Sequence, residues 1–297
     1  MEYDAVVIGG GPAGLTAGMY LGIYKLKTIV LEKGVPGGQL STTQNVANYP
    51  GFPHGINGLE LGDRMSKQLK DFSVELKATE VTKITKKGKK FTLKTTTGTI
   101  TTKAIIICSG AQYRRLKVPG EDKFLGRGVS YCATCDAIFT KGKNVVVVGG
   151  GNSAVQETIP LSKYAKKITM INIANELTAE PVLLDELKKV KNVKVINKTS
   201  VQEIIGDKKV EKVKLNNGKE IPADMIFVFI GLTPATSFLK GFVELSEKGF
   251  INVNRNYETN VENVWAAGDC TKNKINQATI AVGEATIAAF NCYEKIK

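Results

Sequence analysis

Along this chain, short uninterrupted apolar runs give way to amphipathic and alternating stretches, and the same succession occurs twice. Asp4-Ala5-Val6-Val7-Ile8 is an apolar run closed by glycines, the pattern of a strand buried on both faces of a parallel sheet. Leu15 to Leu21 continues as a helix, and Thr28 to Leu31 predicts a second buried strand. Residues 58–71 carry apolar positions at helical spacing. Residues 74–101 alternate apolar and polar positions with turns near Gly88 and Gly98, which predicts a three-stranded antiparallel meander. Ala104 to Cys108 then reads as another buried strand, stopping at Ser109-Gly110. The second pass has strands at 144–148 and 168–171, a helix at 182–190, a meander at 193–221 and a strand from Met225 to Ile230. A tail holds one more strand, Val264 to Ala267, and a helix from about Gln277 to Tyr293. It is too small to form a domain, so it is expected to return to the first half.

Each half opens on a glycine cluster between strand and helix. Gly9-Gly10-Gly11-Pro12-Ala13-Gly14 is G-x-G-x-x-G in the context that makes the motif informative. The first glycine makes the turn, the second admits a pyrophosphate, and the third lets helix pack on strand. Gly149-Gly150-Gly151-Asn152-Ser153-Ala154 repeats it with alanine in the third glycine place. Glu32 lies 23 positions after Gly9, where such a fold sets an acid for ribose hydroxyls; Asn172 lies 23 after Gly149. The expected fold class is α/β: two related doubly wound dinucleotide-binding domains, each with an antiparallel β-meander, the second inserted into the first. The boundaries read as 1–113 with 242–297, and 114–241, joined by linkers near 112–118 and 232–242.

Between the two clusters stands Tyr131-Cys132-Ala133-Thr134-Cys135-Asp136. Two thiols three positions apart can close a small disulfide, can supply half a zinc site, or can be inert. Beside two dinucleotide folds the pair reads as a disulfide reductase. Thiol–disulfide exchange needs a proton donor near the leaving thiolate, and Asp136 is adjacent. The one histidine, His54, sits in a Pro-Gly-Phe-Pro-His-Gly loop and reads as a surface residue. Cys108, Cys270 and Cys292 read as packing residues, since a free cysteine behaves as a small hydrophobe.

With 297 residues and 42% apolar content, the chain has the composition of a globular protein of two domains. No charged leader precedes a long apolar run, the longest apolar runs are too short to span a bilayer, and the scattered cysteines do not make a secreted scaffold. The expected compartment is the cytoplasm, with no membrane partner and no metal. The net charge of +13 changes the picture of partners. A positive surface speeds encounter with anionic proteins, whereas no nucleic-acid motif or aromatic-basic interleaving accompanies the charge.

The set G-x-G-x-x-G, C-A-T-C-D, G-G-G-N-S-A and T-N-x-x-x-V-W-A-A-G-D resembles low-molecular-weight thioredoxin reductases over nearly the whole chain. The resemblance implies FAD as cofactor, thioredoxin as substrate and a homodimer. It assigns Gly9, Gly11, Pro12, Ala13, Gly14, Glu32, Lys33, Gly38, Gln39, Leu40, Asn48, Gly110, Gly268, Asp269, Gln277 and Ala278 to the flavin domain's cofactor site. It makes Cys132 the thiol that attacks thioredoxin, Cys135 the one facing the flavin, and Asp136 the proton donor. Two departures stand out. Members that use NADPH carry a His-Arg-Arg run and a further arginine where this chain has Asn172-Ile173-Ala174 and Thr178. The arginine that precedes Gln277-Ala278 in the family is Asn276 here. A 2′-phosphate without cations loses charge-assisted hydrogen bonds worth roughly 1.5–3 kcal/mol each. The expected donor is therefore reduced ferredoxin; NAD(P)H held by Lys163, Lys166 or Lys167, a reduced deazaflavin, and a flavin redox sensor without turnover are the alternatives.

Overall fold

The computed structural model describes residues 2–43, 46, 48–271 and 275–297. The chain divides into two compact units, one built from Met1–Gln112 with Thr233–Lys297 and the other from Tyr113–Leu232.

The first unit begins with β1 (Glu2–Ile8), α1 (Pro12–Ile23) and β2 (Thr28–Glu32), then α2 (Gly58–Asp71) and β3 (Glu75–Ala78). Strands β4 (Val81–Lys87), β5 (Lys90–Thr95) and β6 (Gly98–Ile107) follow, and β7 (Ala111–Tyr113) leads out of the unit. The sheet order is β3-β2-β1-β6-β5-β4. Pairing is parallel from β3 through β6 and antiparallel from β6 through β4. The expected meander and the expected buried strand at 104–108 are joined physically, because β6 is one strand of ten residues. Its first half closes the meander on β5 and its apolar second half, Ala104 to Ile107, lies against β1. Residues 75–78 belong to the parallel ladder rather than to the meander.

The second unit contains β8 (Val129–Ser130), α3 (Ala133–Asp136), β9 (Asn144–Val148), α4 (Asn152–Leu161) and β10 (Lys167–Ile171). Then come α5 (Pro181–Lys188), β11 (Val193–Ile196), β12 (Val201–Ile205), β13 (Lys212–Leu215), β14 (Glu220–Pro222) and β15 (Met225–Val228). A parallel sheet runs in the order β11-β10-β9-β15-β8, and β12-β13-β14 forms a separate antiparallel sheet. The two halves thus repeat the plan but differ in whether the meander shares the parallel sheet.

Strand β16 (Leu232–Pro234) takes the chain back. This crossing lies at 232/233 rather than at the expected 241/242, because Leu239 and Val243 are buried with Ile29, Phe91 and Ile105 in a core of the first unit. The tail supplies β17 (Val264–Ala266), parallel to the upper half of β6, and α6 (Ala278–Ile296). The core face of α6 carries the small residues Ala281, Ala285, Ala288, Ala289 and Cys292, so it packs closely on Leu15, Ala17 and Leu21 of α1. Burying a leucine such as Leu21 contributes about 1.5–3 kcal/mol. Among the described residues no helix is long and apolar enough to cross a membrane.

Candidate functional site

The first glycine cluster is forced by contact, not only by turn geometry. Gly9 has φ +108°, and a Cβ there would lie 2.2 Å from the Cys108 carbonyl oxygen. A Cβ on Gly14 would lie 1.7 Å from the Gly9 carbonyl oxygen, which is how the third glycine admits the helix. Glu32 at the end of β2 is fixed by backbone donors, accepting from the Gly10 N–H and, at 2.6 Å, from the Gly34 N–H. The Gly37 N–H donates to the Gly10 carbonyl at 2.8 Å, which lays the Gly38–Thr42 turn beside the cluster. Gln39 donates through Nε2 to the Ala111 carbonyl. Asn48 Nδ2 donates to Gln277 Oε1 at 2.9 Å, so a loop residue and the residue preceding α6 meet. Gly268 has φ +78° and stands against Ala13 of α1; its N–H donates to Glu284 Oε2 at 2.7 Å. Burial raises the Asp269 carboxyl above its ordinary range, and a hydrogen bond from Asn276 opposes that shift.

Two of the expected contributors have partners of their own. The Lys33 ammonium pairs with Glu80 at 3.3 Å on the surface. Leu40 packs against the small core of Val46, Ile56 and Leu61.

In the second unit Cys132 and Cys135 are joined as a disulfide. Strand β8, held against β15 through Phe227 and Ser130, ends just before it, and α3 begins just after. Cys132 is the N-cap of α3, and its Sγ accepts from the Cys135 N–H at 3.2 Å. Asp136 closes this turn, its N–H donating to the Cys132 carbonyl at 3.2 Å. Burial raises the Asp136 carboxyl, and a hydrogen bond from Ser130 draws it back in part. A carboxyl shifted upward near a disulfide is suited to hold a proton for a leaving thiolate. Beyond it, Ile138 is 62% exposed and Phe139 42% exposed.

The second glycine cluster keeps its backbone form, with φ +138° at Gly149. The residue that should read a nucleotide does not face outward. Asn172 is buried, and its Nδ2 donates to Glu176 O at 2.8 Å and Asn197 Oδ1 at 3.0 Å, while its Oδ1 accepts from the Ala174 N–H at 3.3 Å. The next residue, Ile173, is 80% exposed. Lys167 stands at the other end of β10, about 16 Å from Asn172 by strand rise, with Lys166 just before it, and Lys163 follows α4.

Residues 3–285 match the pyridine nucleotide-disulphide oxidoreductase family model. This chain belongs to that family. The thioredoxin reductase of Listeria innocua is 39% identical over 302 residues, covering 99% of this chain and 94% of that protein. The crystal structure of thioredoxin reductase from Streptococcus pyogenes superposes with a TM-score of 0.93 at 36% identity, over 99% of this chain and 98% of that one. The ferredoxin-flavin thioredoxin reductase of Clostridium acetobutylicum is 34% identical over 99% of this chain and 98% of that one, with a TM-score of 0.54.

As a member of the pyridine nucleotide-disulphide oxidoreductase family the protein is an FAD-dependent oxidoreductase. The first unit fits that cofactor. A Cβ at Gly11 or Gly110 would meet nothing within 4 Å, and Ser109 Oγ, between Cys108 and Gly110, is buried without a partner. His54 is exposed in its loop, and Cys108, Cys270 and Cys292 are buried free thiols, the last two pushed up to about 11 and about 12 by burial. Sequence reasoning missed two buried acids. Glu284 stands on the core face of α6, between Ala281 and Ala285, and holds the Gly268 N–H; an acid in an apolar helical stripe was the available signal. Glu121 accepts the Leu116 and Lys117 N–H groups, both at 2.8 Å, and the Tyr131 hydroxyl, so it fixes the residue before Cys132. Nothing in the local pattern around Glu121 marks it.

Proposed function

We propose that the protein is a cytoplasmic, homodimeric thioredoxin reductase whose electron donor is reduced ferredoxin. The observation that carries the substrate reading is the Cys132–Cys135 disulfide with Asp136 half-buried at its side and exposed Ile138 and Phe139 next to it. An exposed apolar pair beside a disulfide suits a protein substrate better than a small molecule. FAD, when bound, supplies the electron pair that opens the disulfide. Gly9, Gly11, Pro12, Ala13, Gly14, Glu32, Gly38, Gln39, Asn48, Gly110, Gly268, Asp269, Gln277 and Ala278 would hold it. Cys132, as thiolate, attacks a sulfur of the thioredoxin disulfide; a mixed disulfide forms and one thioredoxin thiolate leaves. Cys135 then attacks Cys132, which restores the Cys132–Cys135 bond and releases dithiol thioredoxin. For the second copy of the homodimer, exposed Ile280, Ile287 and Phe290 on α6 offer an apolar stripe.

The donor reading rests on Asn172. Its amide is consumed by the loop it anchors, Ile173 and Ala174 follow it, and no cation stands in the place of the family's arginines. The relative from Clostridium acetobutylicum is a ferredoxin-flavin enzyme, and the +13 charge suits an acidic donor. A nucleotide donor is the second reading, favoured by the intact glycine geometry at Gly149 and by the free space at Gly151, where a Cβ would meet only Thr178 Oγ1 at 3.9 Å. Anaerobic mixing with each donor separates the two. Flavin bleaching should be fast with a reduced acidic ferredoxin and slow with NADPH or NADH. Fast bleaching that saturates at micromolar NADPH would overturn the donor reading and leave the substrate reading intact.

A further inference from the structure

Tyr131 fills the one position between β8 and Cys132, and its side chain is held at both the hydroxyl and the ring. The hydroxyl donates to Glu121, whose residue is only 2% exposed. That carboxylate also accepts the Leu116 and Lys117 N–H groups, each at 2.8 Å. Lys117 sits at φ +58°, a left-handed conformation uncommon for a lysine, so Glu121 holds a bend that the backbone does not favour. The Tyr131 ring stacks on Tyr113, with centroids 5.3 Å apart and 19° between planes, and the Arg115 guanidinium lies 5.4 Å from its centroid. Arg115 Nε is in turn 3.4 Å from Glu121 Oε1. Tyr113 to Lys117 are the first residues of the dithiol unit, and the Arg114 N–H donates at 2.9 Å to the Gly231 carbonyl, close to where the chain leaves it. The side chain before the dithiol is thus fastened to the stretch by which the chain enters the unit.

We infer that Tyr131 is a positioning residue for Cys132, which aims the attacking sulfur and ties it to the entry segment Tyr113–Lys117. The inference rests on the reading of Cys132 as the thiol that attacks thioredoxin, and names what aims it. Residue 131 shares a peptide group with Cys132, so a pinned side chain at 131 leaves the Cys132 backbone little freedom. That backbone is extended, with φ −134° and ψ 103°, and from it Sγ accepts the Cys135 N–H at 3.2 Å. Once the disulfide is open, the same donor favours thiolate over thiol, because a hydrogen bond to the charged form stabilises it. A sulfur whose backbone can swing away from that donor spends more of its time as thiol. Loosening at Tyr131 is therefore read at Cys132 as a higher titration midpoint and a slower attack.

The ionisable groups around the dithiol come from several elements. Asp136 lies on α3, Glu157 on α4, against which α3 packs, and Lys141 and Lys143 follow the turn Ala137–Thr140; Glu121 and Arg115 stand at Tyr131. Replacing Tyr131 alters none of these charges. Its own phenol is raised, first by burial and then by Glu121, and stays neutral while a thiol titrates. A moved midpoint at Cys132 then reports geometry and not a lost charge.

The test uses the full-length, FAD-containing, pre-reduced protein in a Cys135→Ser background. Alkylation by iodoacetamide is followed against pH, with the Cys132 peptide identified by mass spectrometry. Tyr131→Leu should move the Cys132 midpoint upward, with about 3- to 10-fold less thiolate on the acid side, the scale of one hydrogen bond. Tyr131→Phe, which keeps the ring and lacks the hydroxyl, should recover part of that shift. Tyr113→Leu, on the entry segment, should move the midpoint in the same direction. With both cysteines present, each variant should slow exchange with thioredoxin in proportion to its midpoint shift, and raising the pH should narrow the difference. A midpoint unmoved in folded Tyr131→Leu protein overturns the inference, whatever its melting temperature, and leaves Tyr131 a structural residue. A midpoint moved by Tyr131→Leu and untouched by Tyr113→Leu overturns the tie to the entry segment. Should the leucine variant fail to fold, Tyr131→Phe decides in its place, with a smaller rise expected and an unmoved midpoint overturning. Absence of exchange with thioredoxin in the wild type would refute the function, whereas the alkylation arm needs no thioredoxin and would still decide the role of Tyr131.

Discussion

Asp136 holds two opposed properties. Its carboxyl is raised by burial, so ionising it costs the folded state something that the unfolded chain does not incur. The sign follows directly. Below the unfolded value near 3.9 both states are protonated, and the cost is absent. As pH climbs through the raised folded value the cost appears, and stability falls. Asp136→Asn should therefore match the wild type in melting temperature under acid conditions and exceed it at neutral pH and above. The same variant should lose roughly 10²–10⁴-fold in the proton-dependent opening of the disulfide, the range for a lost general acid. Equal melting curves at every pH would show that the ionised carboxylate is not penalised. Cys132→Ser and Cys135→Ser should each abolish thioredoxin reduction while FAD, read from its visible absorbance, stays bound. Turnover by either variant would remove the dithiol from the electron path.

Among the elements, the loop after β10 stands where such a fold sets a nucleotide-reading residue, and in this chain that residue is an anchor. Asn172→Ala removes the acceptor of the Ala174 N–H and the donor to Glu176 O and Asn197 Oδ1. A buried group left unsatisfied costs about 1–3 kcal/mol, so amides from 174 to 178 should exchange about 5- to 150-fold faster. Ferredoxin-driven reduction should not change; unaltered exchange would mean the loop is held by something else. The helices were legible because their apolar faces repeat at 3.6 residues: 58–71 was read where α2 lies, and the last helix within three residues of its ends. Glycine clusters were legible because close approach excludes every other residue, as at Gly14. What escaped the sequence depends on long-range pairing. Nothing local tells that Gly98 to Ile107 is one strand serving two ladders, or that Leu239 belongs with Phe91. Nor does local pattern tell which way an amide such as that of Asn172 turns, since burial and partners 25 residues away decide it.

For the molecule as a whole, charge gives the clearest test. Exposed lysines act at a distance that salt controls, with a screening length near 30 Å at 0.01 M and near 8 Å at 0.15 M. Reduction by an acidic ferredoxin should slow steeply across that interval, whereas a rate indifferent to salt would remove steering as the reason for the +13 charge. The return of the tail has a further consequence, which concerns synthesis on the ribosome. The dithiol unit is a single run, Tyr113–Leu232, and all its partners have emerged before the first unit can be finished. The first unit waits for β17 to cover the upper half of β6 and for α6 to cover Leu15 and Leu21. Nascent chains stalled once Leu232 has cleared the ribosome should thus carry a protease-resistant, oxidisable dithiol unit between unfinished flanks. The N-terminal 112 residues are born first and completed last.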